Sequence, residues 1–446
     1  MDINDKNFKK KWFEEEKRKI EIRKKRRYIH FDSRIKTIGK EIANEVQNPD
    51  YVVRRFFYPF LKLEKKERKF CYDENGKKYA KAKKPRLIQY ASHKDAVIYS
   101  WYSYILSALY EKKIRKNKIS ENIIAYRKTK HKNNIDFAKE VFDYIKCQSE
   151  CAAICFDIQG FFDNLKHDRI KMIWKNLLAT EDLLTNKSLP KDHYNVFKSI
   201  TKYSYCDYKK LCDKFNIKKK NFKDFLVICG LSDFKKILRG KIINHNINNF
   251  GIPQGTSLSV VLSNAYMIDF DIKISGFIKN IGGIYRRYSD DIIIVCDKKY
   301  CDKIKSLVKE EIDIIKLNMQ EEKTEIRFFS KIDGKYFCID EGGNKCKLQY
   351  LGIETDGNNE LFRGKTNAKF YRRMSWAANT EKRRQKRNPK NKISKRKIYR
   401  KFLHYRPLSF FTYFNNAVSK LDSVLLSKAF QKNNLIKSIK KRINEK

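Results

Sequence analysis

The chain reads Tyr288-Ser289-Asp290-Asp291 and continues with the apolar run Ile292-Ile293-Ile294-Val295. Two adjacent carboxylates followed by β-branched residues predict a strand–turn–strand hairpin that carries the acids at its tip. Like charges held this close repel each other, and bound cations relieve the repulsion. Divalent metals that bridge carboxylates to a nucleoside triphosphate are a common use of such a pair. The alternative is an ordinary solvated turn.

Two upstream segments extend this pattern. Residues 154–164 read ICFDIQGFFDN, an apolar strand that ends in Asp157 and precedes a glycine and two aromatic residues. Residues 251–266 read GIPQGTSLSVVLSNAY, a Gly/Pro loop that opens a helix with small, hydroxylated residues. Taken together and in this order, the three segments resemble motifs A, B and C of reverse transcriptases.

The charge of the chain indicates a polyanionic partner. The 446 residues include 101 Lys and Arg against 52 Asp and Glu, a formal net charge of +49 that is spread along the whole chain. Such a field attracts nucleic acid strongly and without sequence preference. The chain is also rich in Ile and Asn, so part of the Lys excess is compositional and charge alone does not establish RNA binding.

Cysteine usage and hydropathy favour a cytoplasmic protein. The 11 cysteines include no CxxC pair and no accompanying His cluster, so we interpret them as reduced thiols and not as zinc ligands. The first residues are charged, unlike a secretory signal. No run reaches the ~18 apolar residues that a membrane-spanning helix needs. We therefore expect no membrane contact.

The resemblance implies an α+β fold, a right-hand polymerase with fingers, a palm made of an antiparallel sheet and helices, and a helical thumb. A chain of this length holds two to three domains or subdomains. We expect a basic N-terminal extension in residues 1–80 and fingers in 81–150. The palm is expected in 151–345 with a helical insert at 164–250, and the primer grip and basic helical thumb in 346–446.

Periodicity predicts several local elements. Residues 1–30 read as a helix, either a solvated surface helix anchored by Trp12 and Phe13 or an arm that holds RNA. Residues 81–90 resemble a basic hairpin. Helices are predicted around 94–110, 136–146 and 300–318.

The resemblance assigns the acids to metal binding. It makes Asp157 and Asp290 direct ligands of two Mg²⁺ ions, with Mn²⁺ as an alternative, and Asp291 the third acid. Two ions roughly 3.5–4 Å apart activate a primer hydroxyl and neutralise the leaving pyrophosphate. The alternative for Asp157 is a cap or turn at a strand end.

Further residues match positions that contact the nucleotide. Phe162 corresponds to the steric gate that excludes a ribose 2′-OH, which implies dNTP substrates; its alternative is a core aromatic beside Phe161. Gln254 and Gly255 match the motif B turn that touches the incoming nucleotide and the template. Glycine there permits close backbone approach.

Basic residues match two more functions of the family. Arg86, with Lys83 or Lys84, resembles the fingers residues that grip the triphosphate, where a guanidinium suits phosphate bidentately. Lys323 matches motif D, where a lysine protonates the pyrophosphate as a general acid. A general basic surface is the alternative for both.

The last quarter of the chain is predicted to hold nucleic acid. Tyr350 and Gly352 lie in a stretch that resembles motif E, the primer grip. Residues 382–401 carry twelve Lys or Arg and no acid. We expect contacts to nucleic acid from Arg383, Arg384, Lys386 and Arg387. A disordered basic tail is the alternative, but apolar residues recur through 398–439 and favour an ordered thumb.

Weaker matches indicate a subfamily. Residues 124–128 (IAYRK) and the long insert are most similar to the unknown-group and abortive-infection reverse transcriptases of bacteria. This resemblance implies an RNA-directed DNA polymerase that copies a dedicated structured noncoding RNA into cDNA in antiphage defence. A retron- or group II intron-type enzyme, template-independent or protein-primed synthesis, and a non-catalytic RNA-binding scaffold stay open. Template, primer, product, phage trigger, oligomeric state and the role of the insert do not follow from the sequence.

Overall fold

The computed structural model describes residues 5–23, 28–65, 68–72, 74–82, 85–218, 225–239, 242–403, 409–421, 426 and 431–444. The helices in the first half are α1 (Lys6–Arg23), α2 (Lys40–Gln47), α3 (Pro49–Val53), α4 (His93–Lys116), α5 (Asn134–Lys146), α6 (Phe161–Asn164), α7 (His167–Ala179), α8 (Lys191–Thr201) and α9 (Tyr208–Lys214). Those in the second half are α10 (Leu231–Arg239), α11 (Ser257–Tyr266), α12 (Ile268–Asn280), α13 (Cys301–Ile314), α14 (Gly364–Arg387), α15 (Lys395–Phe402), α16 (Ser409–Leu421) and α17 (Lys432–Asn444).

The strands are β1 (Phe60–Lys65), β2 (Arg68–Tyr72), β3 (Lys78–Ala82), β4 (Arg86–Tyr90), β5 (Glu150–Asp157), β6 (Ser204–Asp207), β7 (Asn244–His245), β8 (Ile284–Tyr288), β9 (Asp291–Cys296), β10 (Glu325–Ile332), β11 (Lys335–Ile339), β12 (Leu348–Tyr350), β13 (Ile353–Thr355) and β14 (Glu360–Phe362). The chain divides into two compact units. Unit 1 comprises residues 1–121, 158–273 and 310–319, and unit 2 comprises 122–157, 274–309 and 320–446. The four-part division predicted from the sequence stays a prediction.

Unit 2 is built on a five-stranded antiparallel sheet with the order β11-β10-β5-β9-β8. Strands β5 and β9 are apolar along almost their whole length because each face of the sheet is covered there. A small sheet, β12-β13-β14, follows it in the chain. One continuous core joins the inner sheet residues to α5 and to α14–α17. The C-terminal helices therefore pack as an ordered part of this unit.

Unit 1 contains a four-stranded sheet, β4-β1-β6-β7, and the separate β2–β3 hairpin. The insert supplies β6 and β7, and β6 runs parallel to β1. The sequence predicted a wholly helical insert, and this prediction is wrong. Two short strands of the insert extend a sheet that begins near the N-terminus. Its helices α9 and α10 contribute to a core with Phe31 and Leu61.

Local predictions in unit 1 have mixed outcomes. The predicted helix at the N-terminus is confirmed as α1, and Trp12 is buried against Trp101 with ring centroids 5.2 Å apart. The predicted helix around 94–110 is α4, whose N-terminus is capped by the Ser92 side chain. The basic hairpin predicted at 81–90 is wrong, since β3 pairs with β2 whereas β4 pairs with β1.

In unit 2, the helix predicted at 136–146 is confirmed as α5 and begins with a capping box between Asn133 and Asp136. The helix predicted at 300–318 begins at Cys301 and ends at Ile314. None of the cysteines whose thiols the structure describes is in a disulfide. Within the described ranges, no helix has the length and apolar character needed to cross a membrane.

Candidate active site

Three aspartates, Asp157, Asp290 and Asp291, lie at one end of the unit 2 sheet. Strand β5 lies directly beside β9, and the antiparallel register places Asp157 opposite Asp291. Directly opposed residues in such a pair have Cβ atoms about 4.5–5.5 Å apart. Ser289 and Asp290 form the two-residue loop between β8 and β9. The predicted hairpin with acids at its tip is thus present, and β5 brings the third acid to it.

The hairpin tip is held from inside the protein. Ser289 adopts φ +63°, so the loop has a positive φ only at its first position, as a type II′ turn requires. The fully buried Arg287 donates from Nη1 to the Ser289 carbonyl at 3.0 Å. Backbone bonds from Arg287 N to Asn122 O (2.8 Å) and from Ile124 N to Arg287 O (3.0 Å) attach the preceding segment to β8. These bonds fix where the loop carboxylate is presented.

Burial and the neighbouring carboxylates raise the proton affinity of Asp291. The pKa of Asp291 rises from 3.8 to about 6, first because surrounding protein displaces water, and then through repulsion by Asp290 and Asp157. Arg363 and Lys323 act in the opposite direction but do not cancel the effect. Asp291 still reaches solvent, so a counter-ion has access. At Asp291, burial and the neighbouring negative charges therefore outweigh the nearby positive charges.

This donor set fits a hard divalent cation. Reverse transcriptases generally use divalent metal ions, and carboxylate oxygens are ligands that Mg²⁺ and Mn²⁺ accept. In the described part of the chain, no group of three or more His, Cys, Asp or Glu side chains is gathered closely enough to hold an ion. Mg²⁺ is commonly held by one or two carboxylates together with substrate phosphates, so this spacing suits an ion shared with a nucleotide.

Lys323 lies at the same carboxylates. It ends a short 3₁₀ turn, Glu321–Lys323, that is attached to β5 by a bond from Gln320 N to Asp157 O of 2.8 Å. Its ammonium group forms an ion pair with Asp157 Oδ2, and its side chain remains exposed. The structure therefore brings the predicted motif D lysine to the acids, while its role as general acid stays a prediction.

Arg363 belongs to this neighbourhood and was missed by sequence reasoning. Its positive charge lowers the pKa of Asp291, and its N–H donates to the Gly352 carbonyl at 3.1 Å. The only signal in the sequence was the basic composition that begins near this residue. No motif distinguished Arg363 from the other basic residues, because its placement depends on the turn between β12 and β13.

The predicted primer-grip residues lie in that turn. Leu351 and Gly352 have φ +47° and +92°, two consecutive positive values that are typical of a type I′ hairpin loop. The Tyr350 side chain, predicted to contact nucleic acid, is instead buried in the core of unit 2. It points inward because β12 alternates buried and exposed positions. A contact from this hairpin would therefore involve the turn and not the Tyr350 ring.

In unit 1, the motif B loop is fitted against β4. Gly255 has φ +137°, and a Cβ built on it would lie 2.5 Å from the Gln89 carbonyl oxygen. Gln89 N in turn donates to Gln254 O at 2.8 Å. Thr256 caps α11 by accepting from Ser259 N. Glycine is required here because the backbone of the loop and the backbone of the strand touch.

The turn after motif A meets the same loop. Ile252 N donates to Phe162 O at 3.0 Å, and a Cβ on Gly251 would lie 3.0 Å from Asp163 O. Phe161 is buried, whereas Phe162 is half-buried and contacts Phe161 edge-on at 5.6 Å. The buried ring is therefore Phe161, and Phe162 keeps an accessible face, as a steric gate requires.

A cavity of about 350 Å³ in unit 1 opens beside Gln254. Its lining includes Lys62, Gln89, Tyr203, Tyr205, Asn246 and Gln254. Amide groups and aromatic rings are the chemistry that reads and stacks a nucleobase. The insert thus contributes polar and aromatic side chains next to motif B, which sequence reasoning did not predict because β6 and β7 were not recognised.

The predicted phosphate-binding residues are only partly described. Arg86 is exposed at the start of β4, and its register partner is Lys65. Lys83 and Lys84 lie outside the described residues. The structure therefore places Arg86 on a basic surface of the strand that also contacts motif B, and its role in triphosphate binding stays a prediction.

The predicted thumb is helical and basic. Arg383, Arg384, Lys386 and Arg387 are exposed in the last turns of α14. Only Arg384 has a described carboxylate partner among these four, Glu381 at 3.5 Å. Because α14–α17 share a core, the segment is an ordered surface and not a disordered tail. Contact with nucleic acid stays a prediction.

Comparison with known proteins gives a family match. Residues 77–355, more than half of the chain, match the model of the family described as reverse transcriptase (RNA-dependent DNA polymerase). The match spans motifs A to E and confirms the predicted fold class. No curated protein is similar in sequence at a significant level.

The solved structures to which the chain is similar include telomerases from two Candida species. Apo telomerase from Candida tropicalis, truncated from its C-terminal domain, has a TM-score of 0.40 and 12% identity over 68% of this chain and 57% of its own. Telomerase from Candida albicans in complex with a TWJ fragment of telomeric RNA has a TM-score of 0.40 and 12% identity over 90% of this chain and 64% of its own. The chain spans less than two thirds of the length of either.

Proposed function

The chain belongs to the reverse transcriptase family, and from this premise we propose that it is an RNA-directed DNA polymerase that copies a dedicated structured noncoding RNA into cDNA in bacterial antiphage defence. The observation that carries the polymerase activity is the carboxylate cluster, in which Asp157 and Asp291 face each other across β5 and β9. The raised pKa of Asp291, caused by burial and by repulsion from Asp290 and Asp157, supports a site where a cation would be favourable.

Each predicted site residue has a task in this proposal. Asp157, Asp290 and Asp291 would hold two Mg²⁺ ions, or Mn²⁺, which would supply activation of the primer hydroxyl and neutralisation of the leaving pyrophosphate. Lys323 is kept near the acids by its ion pair with Asp157 and would donate a proton to the pyrophosphate. Phe162 would exclude ribonucleotides, so the substrates are dNTPs.

The proposed RNA partner is supported by charge and by the thumb. A net charge of +49 favours a polyanion, and the exposed basic end of α14 offers Arg and Lys side chains for phosphates. RNA duplexes and hybrids are held chiefly through phosphate and 2′-OH contacts. We propose a cytoplasmic location, which fits the reduced thiols.

The defence role is supported by the resemblance of residues 124–128 to abortive-infection enzymes. In the structure this segment adjoins the acidic hairpin: Ile124 N donates to Arg287 O, and the Tyr126 ring lies 5.9 Å from the Tyr288 ring. The residues that indicate the subfamily are therefore neighbours of the proposed catalytic acids.

Protein-primed synthesis is a second candidate that one observation favours. Tyr126 is 52% exposed, adopts φ +61° and lies next to the acidic hairpin. Its hydroxyl would take the place of a primer 3′-hydroxyl. DNA that remains attached to the protein after denaturation, and is lost in Tyr126→Phe, would favour this candidate over RNA-templated synthesis with a free primer.

The decisive experiment expresses the gene with its flanking DNA, purifies the protein and sequences the RNA and DNA that co-purify. An Asp290→Asn/Asp291→Asn variant is treated in parallel. One enriched RNA with complementary DNA, absent in the variant, supports copying of a dedicated template. Heterogeneous RNA with DNA that matches no template contradicts it. Protection of cells against phage by wild type and not by the variant tests the defence role separately.

A further inference from the structure

A second cavity in unit 1, lined by residues far in sequence from all the motifs, has the features of a nucleotide site. Its volume is about 520 Å³, within the range of small-molecule sites. One wall is formed by α3 and the loop that follows it, and the other by the insert helix α10. We call it the α3–α10 pocket; it is lined by Tyr51, Arg54, Arg55, Phe56, Tyr58, Leu231, Phe234 and Lys235.

The floor of the pocket is aromatic. Tyr58 and Phe234 contact each other edge-on at 5.1 Å, and both contact Phe31, at 6.0 and 4.8 Å. These three rings connect the loop after α3 to helix α10 of the insert. A flat ligand that enters the pocket would therefore meet ring surfaces that are already packed in place.

A buried carboxylate fixes the loop between α3 and β1. Asp95, which is buried at the start of α4, accepts from Arg55 Nη2 and from Tyr58 N, both at 2.9 Å. These bonds determine the positions of Arg55 and Tyr58 without any ligand. A site that is ordered before binding loses less conformational entropy on binding.

Two cations at the rim are free for a ligand. Arg55 is committed to Asp95, whereas Arg54 and Lys235 are exposed and pair with no carboxylate among the described residues. Arg54 donates only from Nε to the backbone oxygen of Asp50, at 3.2 Å. Phe56 and Leu231 next to them are 63% and 74% exposed. Large exposed apolar side chains beside a cavity mark binding sites.

The aromatic floor and the unpaired cations at the rim together indicate which class of ligand the pocket would bind. A ligand with an aromatic ring and an adjacent anionic group satisfies both, and a nucleotide is such a ligand. In duplex nucleic acid the bases are stacked internally and cannot reach a pocket, whereas an unpaired base can. The +49 charge of the chain favours a polyanion over a peptide.

We propose that the α3–α10 pocket binds an unpaired nucleotide of the RNA, with its base on the aromatic lining that includes Phe56 and its phosphate at Arg54 and Lys235. The inference rests on the RNA partner of the proposed function and gives the insert a role, recognition of single-stranded RNA away from the acids. It is tested by binding alone, so its failure is distinguishable from failure of DNA synthesis.

The first test removes the exposed ring. Binding of a short single-stranded RNA that carries a fluorophore is measured by anisotropy, at a salt concentration high enough to suppress non-specific phosphate contacts. Phe56→Ala should weaken binding about tenfold, the usual loss for one base–aromatic stack. Ile314→Ala, which truncates a similarly exposed side chain (60%) elsewhere in unit 1, should bind as wild type does. Equal affinity of the two variants would overturn the proposal.

The second test separates RNA from a protein partner. Leu231 is replaced by Asp and, in a matched variant, by Lys. A phosphate-bearing ligand requires that Leu231→Asp binds the RNA several-fold more weakly than Leu231→Lys, with the difference shrinking as salt rises. If the pocket instead bound an apolar surface of a partner protein or of a second copy of the chain, both charged substitutions would weaken that binding to a similar extent. Equal RNA affinity of these two variants contradicts the assignment.

Photocrosslinking locates the contact directly. An RNA containing 4-thiouridine is irradiated with the protein, and the attached peptide is identified by mass spectrometry. Crosslinks to residues 51–58 or 231–235 that decrease in Phe56→Ala would support the site. Crosslinks confined to the basic end of α14 would show that the pocket does not hold the RNA. Because DNA synthesis is not needed, the Asp290→Asn variant should give the same pattern.

Discussion

The acid edge of unit 2 and the motif B loop of unit 1 are both tightly constrained, but by different forces. At the acid edge, Asp157 and Asp291 are opposed in register and their charges repel. At the motif B loop, the constraint is steric, because the Gly255 backbone touches the Gln89 carbonyl. The first region concentrates negative charge, which a cation would relieve, whereas the second is held by contacts within the chain alone.

This difference separates stability from activity. Removing charge from the acid edge should relieve repulsion and leave the fold intact while it removes catalysis. Adding atoms to the motif B loop should damage the fold first and activity as a consequence. Substitutions in the two regions therefore give opposite combinations of stability and function.

The largest effect is expected from Asp290→Asn. Loss of a metal ligand should reduce primer extension by at least about a thousandfold, since metal ions contribute several kcal/mol to charge stabilisation. RNA affinity, measured by anisotropy, should stay nearly unchanged. Simultaneous loss of RNA binding and of cooperative unfolding would show that the substitution misfolds the protein and would remove the contrast between the two regions.

Gly255→Ala should destabilise the fold. The new Cβ would lie 2.5 Å from a backbone oxygen, at φ +137°, and we expect a loss of about 2–3 kcal/mol in the free energy of unfolding. Gly276→Ala is the matched control, since nothing lies within 4 Å of its Cβ position. Urea unfolding of both variants checks this. If Gly255→Ala were as stable as wild type, the loop would have adjusted to the new Cβ at no cost in free energy.

Phe162→Ala should change sugar selectivity. Removing the accessible ring should increase ribonucleotide incorporation relative to dNTP incorporation by about tenfold or more, because the proposed clash with the 2′-OH disappears. Phe162→Tyr keeps the ring and should keep the selectivity. Single-nucleotide incorporation with rNTP and dNTP gives the ratio. An unchanged ratio in the alanine variant would reject the steric-gate assignment.

The acid edge should also make stability depend on pH. The pKa of Asp291 rises from 3.8 to about 6 in the folded chain, so the folded state holds this proton more tightly than the unfolded state. The loss of folding stability caused by ionised Asp291 is absent below pH 3.8, develops as the pH rises through about 6 and persists above it. Asp291→Asn should therefore match wild type at low pH. At neutral pH, the free energy of unfolding of Asp291→Asn should be higher than that of wild type by about 1 kcal/mol, a value reduced for solvent screening.

Two controls sharpen the pH experiment. Saturating Mg²⁺ should raise the Tm of wild type more than that of Asp291→Asn, because the ion binds the folded carboxylates. Asp297→Asn should show the opposite pH trend, since a hydrogen bond from Lys299 N lowers the pKa of Asp297. The stabilisation of the folded state by ionised Asp297 should vanish as the pH falls. Identical pH profiles for wild type and Asp291→Asn would contradict the repulsion at the acid edge.

The smallest effect per residue is expected at the basic end of α14. Replacing Arg383, Arg384, Lys386 and Arg387 by Gln should lower the slope of log affinity against log salt by up to about 3, at 0.7–0.9 per phosphate contact. Neither stability nor the intrinsic chemistry should change much, since all four are exposed. A slope equal to that of wild type would place the RNA elsewhere.

Much of the acid edge could be predicted from the sequence. Asp157 ends an apolar strand, and Asp290 and Asp291 precede one, so their positions at strand ends followed from local patterns. Lys323, which the motif D match indicated, forms an ion pair with Asp157, and its role as general acid stays a prediction. Arg363 was not, because its place depends on the turn at Gly352 and on no feature of its own neighbours in sequence.

Other predictions failed where strand pairing decides the outcome. The stretch 81–90 has the composition of a hairpin, yet β3 and β4 belong to different sheets. The insert has helical periodicity, but its strand β6 pairs with β1 and its strand β7 pairs with β6. Tyr350 was expected at a nucleic-acid contact and lies in the core. Hydrophobic periodicity and composition predict the local structure of one segment. Which strand that segment pairs with depends on other segments that are distant in the chain.

The sequence by itself determined the family, the strand that carries each acid and the excess of positive charge, since these depend on residue type and local order. The tertiary structure alone decided the register that opposes Asp157 and Asp291, the contact between Gly255 and Gln89, and the α3–α10 pocket. Steric contacts act within a few ångströms and charge repulsion within about 10 Å. Each of these three features joins residues that are more than a hundred positions apart in the chain.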